Sequence, residues 1–166
     1  MFRTAPLTLL LSTVLASSAA LAFTSTKNGY SFTEPQGFKA VSGVPGPEVV
    51  YATADQQVSF NVQVNPVKNI TALNATTQKT LGDQLDATLK STLANYKSIS
   101  RKNSTLAGLP SVELEYTGTN NNLRFWQVVT VKGGKSYVLT FVSTQPKFAA
   151  NRPTFEAVKN SFKFTS

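Results

Sequence analysis

The sequence contains no histidine and no cysteine, and only 8 of its 166 residues are acidic. Without histidine the chain lacks the usual general base, the usual metal ligand and any serine–histidine triad. Without cysteine it lacks disulfides, thiol nucleophiles and thiolate metal sites. We therefore expect a protein that is not an enzyme and that has no catalytic residues, no cofactor and no metal.

Two pairs of acidic residues could still support chemistry. Glu113 and Glu115 lie two apart in a strand-like segment, so both side chains point to one face. A divalent cation could use them, but no third ligand is visible, and calcium prefers about 6–8 oxygens. We interpret them as a solvated strand face with Arg124 as a cross-strand partner. Asp83 and Asp86 fit a charge ladder on the surface of a helix.

The first 22 residues have the order of a secretory leader. Arg3 precedes an apolar stretch at residues 7–16, and small residues lead to an Ala-x-Ala motif at residues 20–22. The apolar stretch is shorter than the roughly 20 residues that a membrane span needs. We therefore predict a cleaved signal peptide at residues 1–22 and one mature domain at residues 23–166. This domain is expected to be secreted or periplasmic, without a transmembrane anchor.

Basic residues outnumber acidic residues by 16 to 8, which gives a formal charge of +8. They are scattered, and the pair Arg101-Lys102 is too short to be the basic run of a protein that tracks a phosphate backbone, so we expect no nucleic-acid partner. A positive surface on an exported domain favours an anionic envelope or membrane-associated protein as partner. The alternative is that the charge only aids solubility.

Hydrophobic periodicity predicts an α+β fold in which helices pack on an antiparallel sheet. Apolar and polar residues alternate strictly over Val58–Val64, which is typical of a half-buried strand. Residues 76–96 carry a helical stripe of leucines, with Thr76 or Thr77 as N-cap, and a short final helix is expected to start near Pro153. The stripe consists of Leu81, Leu85, Leu89, Leu93 and Tyr96. Further strands are predicted at Tyr30–Phe32, Val49–Ala52, Ile99–Leu106, Ser111–Thr117, Leu123–Val131 and Ser136–Val142.

The last two predicted strands carry four large aromatic residues, Phe125, Trp126, Tyr137 and Phe141. By alternation Arg124 and Trp126 share one strand face, and Lys132 and Lys135 flank the turn between the strands. A basic rim around an aromatic anchor suits an anionic partner, so these four residues form the predicted binding surface. The alternative is a sheet face covered by a helix, since aromatic residues in strands are usually core.

Short motifs resemble the PsbP/DcrB-like domain family. Residues 28–32 (NGYSF), followed by 34–38 (EPQGF), are similar to the opening of that domain, and residues 108–110 (GLP), 113–116 (ELEY) and 131–140 (VKGGKSYVLT) follow in the family's order. The resemblance implies an α/β/α sandwich with a central antiparallel sheet flanked by helices. It also implies a domain that is mostly non-catalytic.

The favoured function is an exported, non-enzymatic accessory or binding domain of the bacterial envelope, monomeric and acting through protein–protein contacts. One alternative is a lumenal protein like the extrinsic subunits of photosystem II, although the metal-binding histidine of some such members has no counterpart here. Another is a small-molecule carrier with a helix–sheet pocket of about 300 Å³ or more, lined by Tyr96, Phe125 or Tyr137.

Overall fold

The computed structural model describes residues 21–119 and 122–165, which form two antiparallel sheets and two helices. The predicted signal peptide lies outside these residues except for Leu21 and Ala22. The expected α+β class is confirmed, but the structure has a second, smaller sheet where a single sheet was expected. In chain order the elements are β1 (Ala22–Ser25), β2 (Tyr30–Thr33), β3 (Lys39–Ala40), β4 (Val49–Ala52), β5 (Val58–Pro66), α1 (Ala75–Thr92), β6 (Lys97–Leu106), β7 (Leu109–Gly118), β8 (Leu123–Lys132), β9 (Lys135–Thr144), α2 (Gln145–Ser161) and β10 (Lys163–Phe164).

The larger sheet has seven strands in the order β3-β4-β5-β9-β8-β7-β6. Because successive side chains point to opposite faces of a sheet, each strand contributes one row of side chains to each face. The tight turn between β8 and β9 has positive φ at both Gly133 and Gly134, 58° and 74°, which glycine adopts without strain. This hairpin therefore fixes the register at the centre of the sheet, with Lys132 opposite Lys135.

The smaller sheet has the order β1-β2-β10 and packs beside α2 on the larger sheet. Phe23 pairs with Phe32, and Phe164 pairs with Tyr30, so aromatic rings point into the core from all three strands. β1 and β10 have only four and two residues, too few to show a period in the sequence. Their pairing depends on partners that are distant in the chain.

Helix α1 covers one face of the larger sheet at β6 and β7. It begins with a capping box in which Asn74 is the N-cap, so neither Thr76 nor Thr77 has that role: the Thr77 N–H donates to Asn74 Oδ1 at 2.9 Å, and the Asn74 N–H donates to Thr77 Oγ1 at 2.7 Å. The predicted leucine stripe packs on Val112, Leu114 and Tyr116. The leucine stripe is therefore the face of α1 that packs on the sheet, as the periodicity predicts.

Helix α2 covers the opposite face and is longer than predicted. It begins at Gln145, with a proline in its first turn, and Pro153 lies inside it instead of at its start. Phe148, Phe155 and Val158 are buried along its length. Burial of this row holds the helix together across Pro153, because tertiary packing outweighs the local cost of an interior proline.

The main core lies between the larger sheet, α2 and the smaller sheet. Its aromatic rings pack against one another: Phe60 stacks on Phe141 at 4.8 Å between centroids, and Phe155 lies tilted against Phe141 at 4.9 Å. Neither α1 nor α2, nor any other helix within residues 21–119 and 122–165, is long and apolar enough to cross a membrane.

Candidate functional site

The four residues of the predicted binding surface do not form one surface. Arg124 and Lys132 lie near opposite ends of β8, eight residues apart, which corresponds to about 27 Å along a strand. Arg124 and Trp126 belong to a charged cluster beneath α2. Lys132 and Lys135 lie at the turn between β8 and β9, so the two pairs must be considered separately.

Trp126 is buried, with 2% of its surface exposed, so its predicted role as an exposed anchor is wrong. The Arg152 guanidinium of α2 lies 3.8 Å from the centroid of its ring, and the Phe141 ring stacks on it at 5.0 Å. The alternation placed Arg124 and Trp126 correctly on one strand face. That face is covered, because α2 begins earlier in the chain than the sequence indicates.

Glu113 lies in the same covered region and is 2% exposed, so it is not part of a solvated strand face. Its carboxylate accepts hydrogen bonds from Lys159, from Ser104 Oγ at 2.6 Å and from Trp126 Nε1 at 3.3 Å, and Lys102 Nζ lies at 3.2 Å. Burial alone would raise the pKa of Glu113, but these donors outweigh burial and lower the pKa from 4.5 to about 2. Glu113 is therefore ionised at neutral pH, and both of its carboxylate oxygens have hydrogen-bond or ion-pair partners.

The expected cross-strand pair of Glu115 with Arg124 is confirmed, and Glu115 has a second partner in α2. Arg124 on β8 forms a salt bridge with Glu115, and Arg152 of α2 reaches its other oxygen at 3.1 Å. Arg152 also donates to Glu156 at 2.9 Å. We call these groups the sub-helical charge cluster; it consists of Glu113, Glu115, Glu156, Lys102, Lys159, Arg124 and Arg152. The cluster attaches α2 to the sheet, and its ion pairs leave neither Glu113 nor Glu115 free to act as a base.

The other two predicted residues belong to a group of five lysines at one end of the molecule. Lys135 Nζ donates to Asn28 Oδ1 at 3.0 Å, which brings the β1–β2 turn to this end. The Val67 N–H donates to the Gly134 carbonyl at 2.8 Å, which brings in the segment after β5. The Lys132 ammonium lies 4.6 Å from the Phe164 ring centroid, which brings in β10. We call this group the lysine end; it consists of Lys27, Lys68, Lys132, Lys135 and Lys163.

The lysine end holds five of the fifteen basic side chains in the described part of the chain. None of its five ammonium groups forms a salt bridge within the described part of the chain, whereas seven cations elsewhere do. Four of the five lysines are exposed, and Lys135 is half-buried. The nearby carboxylate of Glu48 accepts hydrogen bonds from Asn28 Nδ2 at 2.8 Å and from the Tyr30 hydroxyl at 2.9 Å. Burial raises the pKa of Glu48, but hydrogen bonds from Ser25, Asn28 and Tyr30 and the charge of Lys27 lower it below its usual range. Glu48 therefore compensates part of the positive charge at the lysine end.

An open cleft of about 670 Å³ lies between α2 and the segment that follows β2. Thr33 donates its backbone N–H to Ser161 Oγ at 2.9 Å where the two walls meet. The apolar part of its lining consists of Leu21, Pro35, Phe38, Pro153, Ala157 and Val158. A smaller hollow of about 420 Å³ lies beside the exposed Asp55–Lys147 ion pair.

The three aromatic residues proposed for a carrier pocket line neither cavity. Phe125 instead stacks on Tyr116 at 4.9 Å between centroids, and the Tyr96 ring packs against Tyr116 in a tilted arrangement at 5.4 Å. Tyr137 is buried, and its hydroxyl donates to the Asn28 carbonyl at 2.9 Å. The described residues also contain no group of three or more acidic side chains placed to hold a metal ion.

The fold is that of a small, mostly β protein with two helices, and its strand carboxylates Glu113 and Glu115 form structural ion pairs. The sequence profile of the PsbP family matches residues 18–164, and the chain belongs to this family. The resemblance seen in the short motifs is thereby confirmed. No curated protein sequence matches the chain.

Solved structures share the fold at low sequence identity. The solution structure of the cyanobacterial PsbP (CyanoP) from Synechocystis is 20% identical, with a TM-score of 0.67 over 93% of this chain and 98% of CyanoP. LpqN, involved in cell envelope biogenesis of Mycobacterium tuberculosis, is 12% identical, with a TM-score of 0.61 over 91% of this chain and 88% of LpqN. PA94 of Pseudomonas aeruginosa, of unknown function and a putative regulator by its description, is 13% identical, with a TM-score of 0.52 over 84% of this chain and 92% of PA94.

Proposed function

We propose that this protein is an exported, non-enzymatic accessory domain of the bacterial envelope, which binds an anionic, membrane-associated partner and acts there through protein–protein contacts. The observation that carries the proposal is the lysine end. Lysines from four separate segments come together there, and none of them forms a salt bridge in the described part of the chain. Such a surface raises the rate of encounter with an anionic partner over distances of about 8–10 Å at physiological ionic strength.

Two further observations support an accessory role. The sub-helical charge cluster uses Glu113 and Glu115 structurally, which removes the strand carboxylates as candidates for acid–base catalysis. The structurally similar LpqN takes part in cell envelope biogenesis, which fits an extracytoplasmic address for this chain. The second candidate function is that of a lumenal subunit of the photosystem type. Its support is the fold that the chain shares with CyanoP, and a shared fold does not by itself imply a shared function.

The proposal is tested by binding the mature protein to envelope membranes of its own host and cross-linking the bound fraction to identify the protein partner. Lys132→Glu with Lys135→Glu should weaken binding and slow association, because the variant reverses two of the five charges at the lysine end. Raising the salt concentration should weaken binding of the wild type more than that of the variant. Equal binding of both proteins at low and high salt would show that the positive surface has no role.

A further inference from the structure

We infer that the lysine end docks on an anionic lipid bilayer, so that the charge it recognises is that of phospholipid headgroups. This inference rests on the proposed function and names the surface to which the lysine end attaches. The protein–protein contacts of the domain are then made by the surfaces that face away from the bilayer.

The first argument is the type of cation. All five charges of the lysine end are lysines, whereas each of the three described arginines, Arg101, Arg124 and Arg152, forms a salt bridge elsewhere. Arginine is the residue of choice for bidentate pairing at specific protein interfaces, and lysine is depleted there. Flexible ammonium groups that act as point charges suit a surface on which the negative charge is spread over many mobile headgroups.

The second argument is the lack of an aromatic anchor. Protein hot spots are enriched in tryptophan, tyrosine and arginine. The single tryptophan, Trp126, is buried under α2, far from this end. At the lysine end, the ammonium group of Lys132 lies over the Phe164 ring, 4.6 Å from its centroid. Neither of the two cavities described above is lined by a residue of the lysine end, so within the described part of the chain this end offers charge and not a pocket for an aromatic anchor.

The third argument is the placement of the lysines on turns and strand ends. Lys27 lies in the β1–β2 turn, Lys68 follows β5, and Lys132 and Lys135 flank the β8–β9 turn. The contacts of Asn28 with Lys135 and of Val67 with Gly134 keep these turns together at one end of the molecule, and on that basis we infer that several ammonium groups reach a flat surface together. Each lysine near an anionic membrane surface strengthens binding by about fivefold.

The experiment measures sedimentation of the mature protein with protein-free vesicles. One set contains phosphatidylcholine alone, and the other contains phosphatidylcholine with about a third phosphatidylglycerol. The test variant is Lys68→Glu with Lys163→Glu, because both side chains are exposed and neither ammonium group makes a hydrogen bond or salt bridge in the described part of the chain. We expect binding to the anionic vesicles only, and a loss of at least about 20-fold in the variant.

The matched control is Lys39→Glu with Lys97→Glu, which changes the net charge equally. Lys39 pairs in register with Ala52 and Lys97 with Thr117, at the end of the sheet opposite the lysine end, and both are exposed. The control should bind anionic vesicles nearly as well as the wild type. Equal losses in test and control variants would mean that net charge acts without a docking surface, and would overturn the inference.

The result also separates this inference from the proposed function. Binding to host membranes without binding to the anionic vesicles would identify an acidic protein as the target of the lysine end and overturn the lipid inference, while the proposed function stands. Lack of binding to host membranes would contradict the proposed function itself. Thermal unfolding of each variant confirms that any loss of binding occurs in a folded protein.

Discussion

At the scale of single residues, Glu113 has the largest predicted effect on stability. Replacing it with glutamine leaves Lys159 and Lys102 without their carboxylate, and removing one partner of a buried ion pair is strongly destabilising. We expect Glu113→Gln to lower the free energy of unfolding by about 3 kcal/mol, measured by urea denaturation at pH 7. The matched control is Glu156→Gln, which breaks only an exposed pair with Arg152 and should change stability by less than about 0.5 kcal/mol.

The pH dependence of Glu113 gives this prediction a second readout. Its pKa is lower in the folded protein than in the unfolded chain, so its stabilisation is fully present above about pH 4.5 and is lost as the pH falls towards 2. The Glu113→Gln variant should lack this part of the acid destabilisation. If the free energy of unfolding of wild type and variant falls by the same amount between pH 4.5 and pH 2, the pKa of Glu113 is not lowered in the folded protein and the prediction is wrong.

At the scale of elements, the leucine stripe of α1 packs on the sheet as predicted, but its side chains are less deeply buried than core residues. Leu85 was expected to be a core residue, but it is half-buried at the edge of the cluster around Leu114. Leu85→Ala should therefore cost about 2 kcal/mol, the low end of the range for a buried leucine. Gln84→Ala, at an exposed position of the same turn, is the control. Equal denaturation midpoints for both variants would place the stripe in solvent.

At the scale of the whole molecule, removal of the predicted signal peptide affects a strand of the folded domain, β1. The predicted cleavage site between Ala22 and Phe23 lies within this strand, where Ala22 pairs with Thr33 and the Leu21 carbonyl accepts the Glu34 N–H at 2.9 Å. Cleavage removes both contacts but keeps the Phe23 ring, which stacks on Phe32 at 5.2 Å. We expect the exported protein to start at Phe23, as determined by intact mass. Recovery of a membrane-bound form that retains Met1 would contradict cleavage.

The sequence by itself determined the strand and helix pattern, because periodicity reflects which face of each element is buried. Val58–Val64 and the leucine stripe were identified in this way, and the order of short motifs identified the family. It also determined the net charge and the absence of histidine and cysteine. These properties depend on composition or on neighbours within one element.

Only the tertiary structure decided which of the predicted site residues share a surface. Trp126 and Glu113 lie on a face that α2 covers, and this helix continues through Pro153 because its buried row packs on the sheet. The lysine end joins residues as distant in sequence as Lys27 and Lys163, through contacts with Asn28, Gly134 and Phe164. Such groupings depend on long-range strand pairing, which a local pattern of residues does not encode.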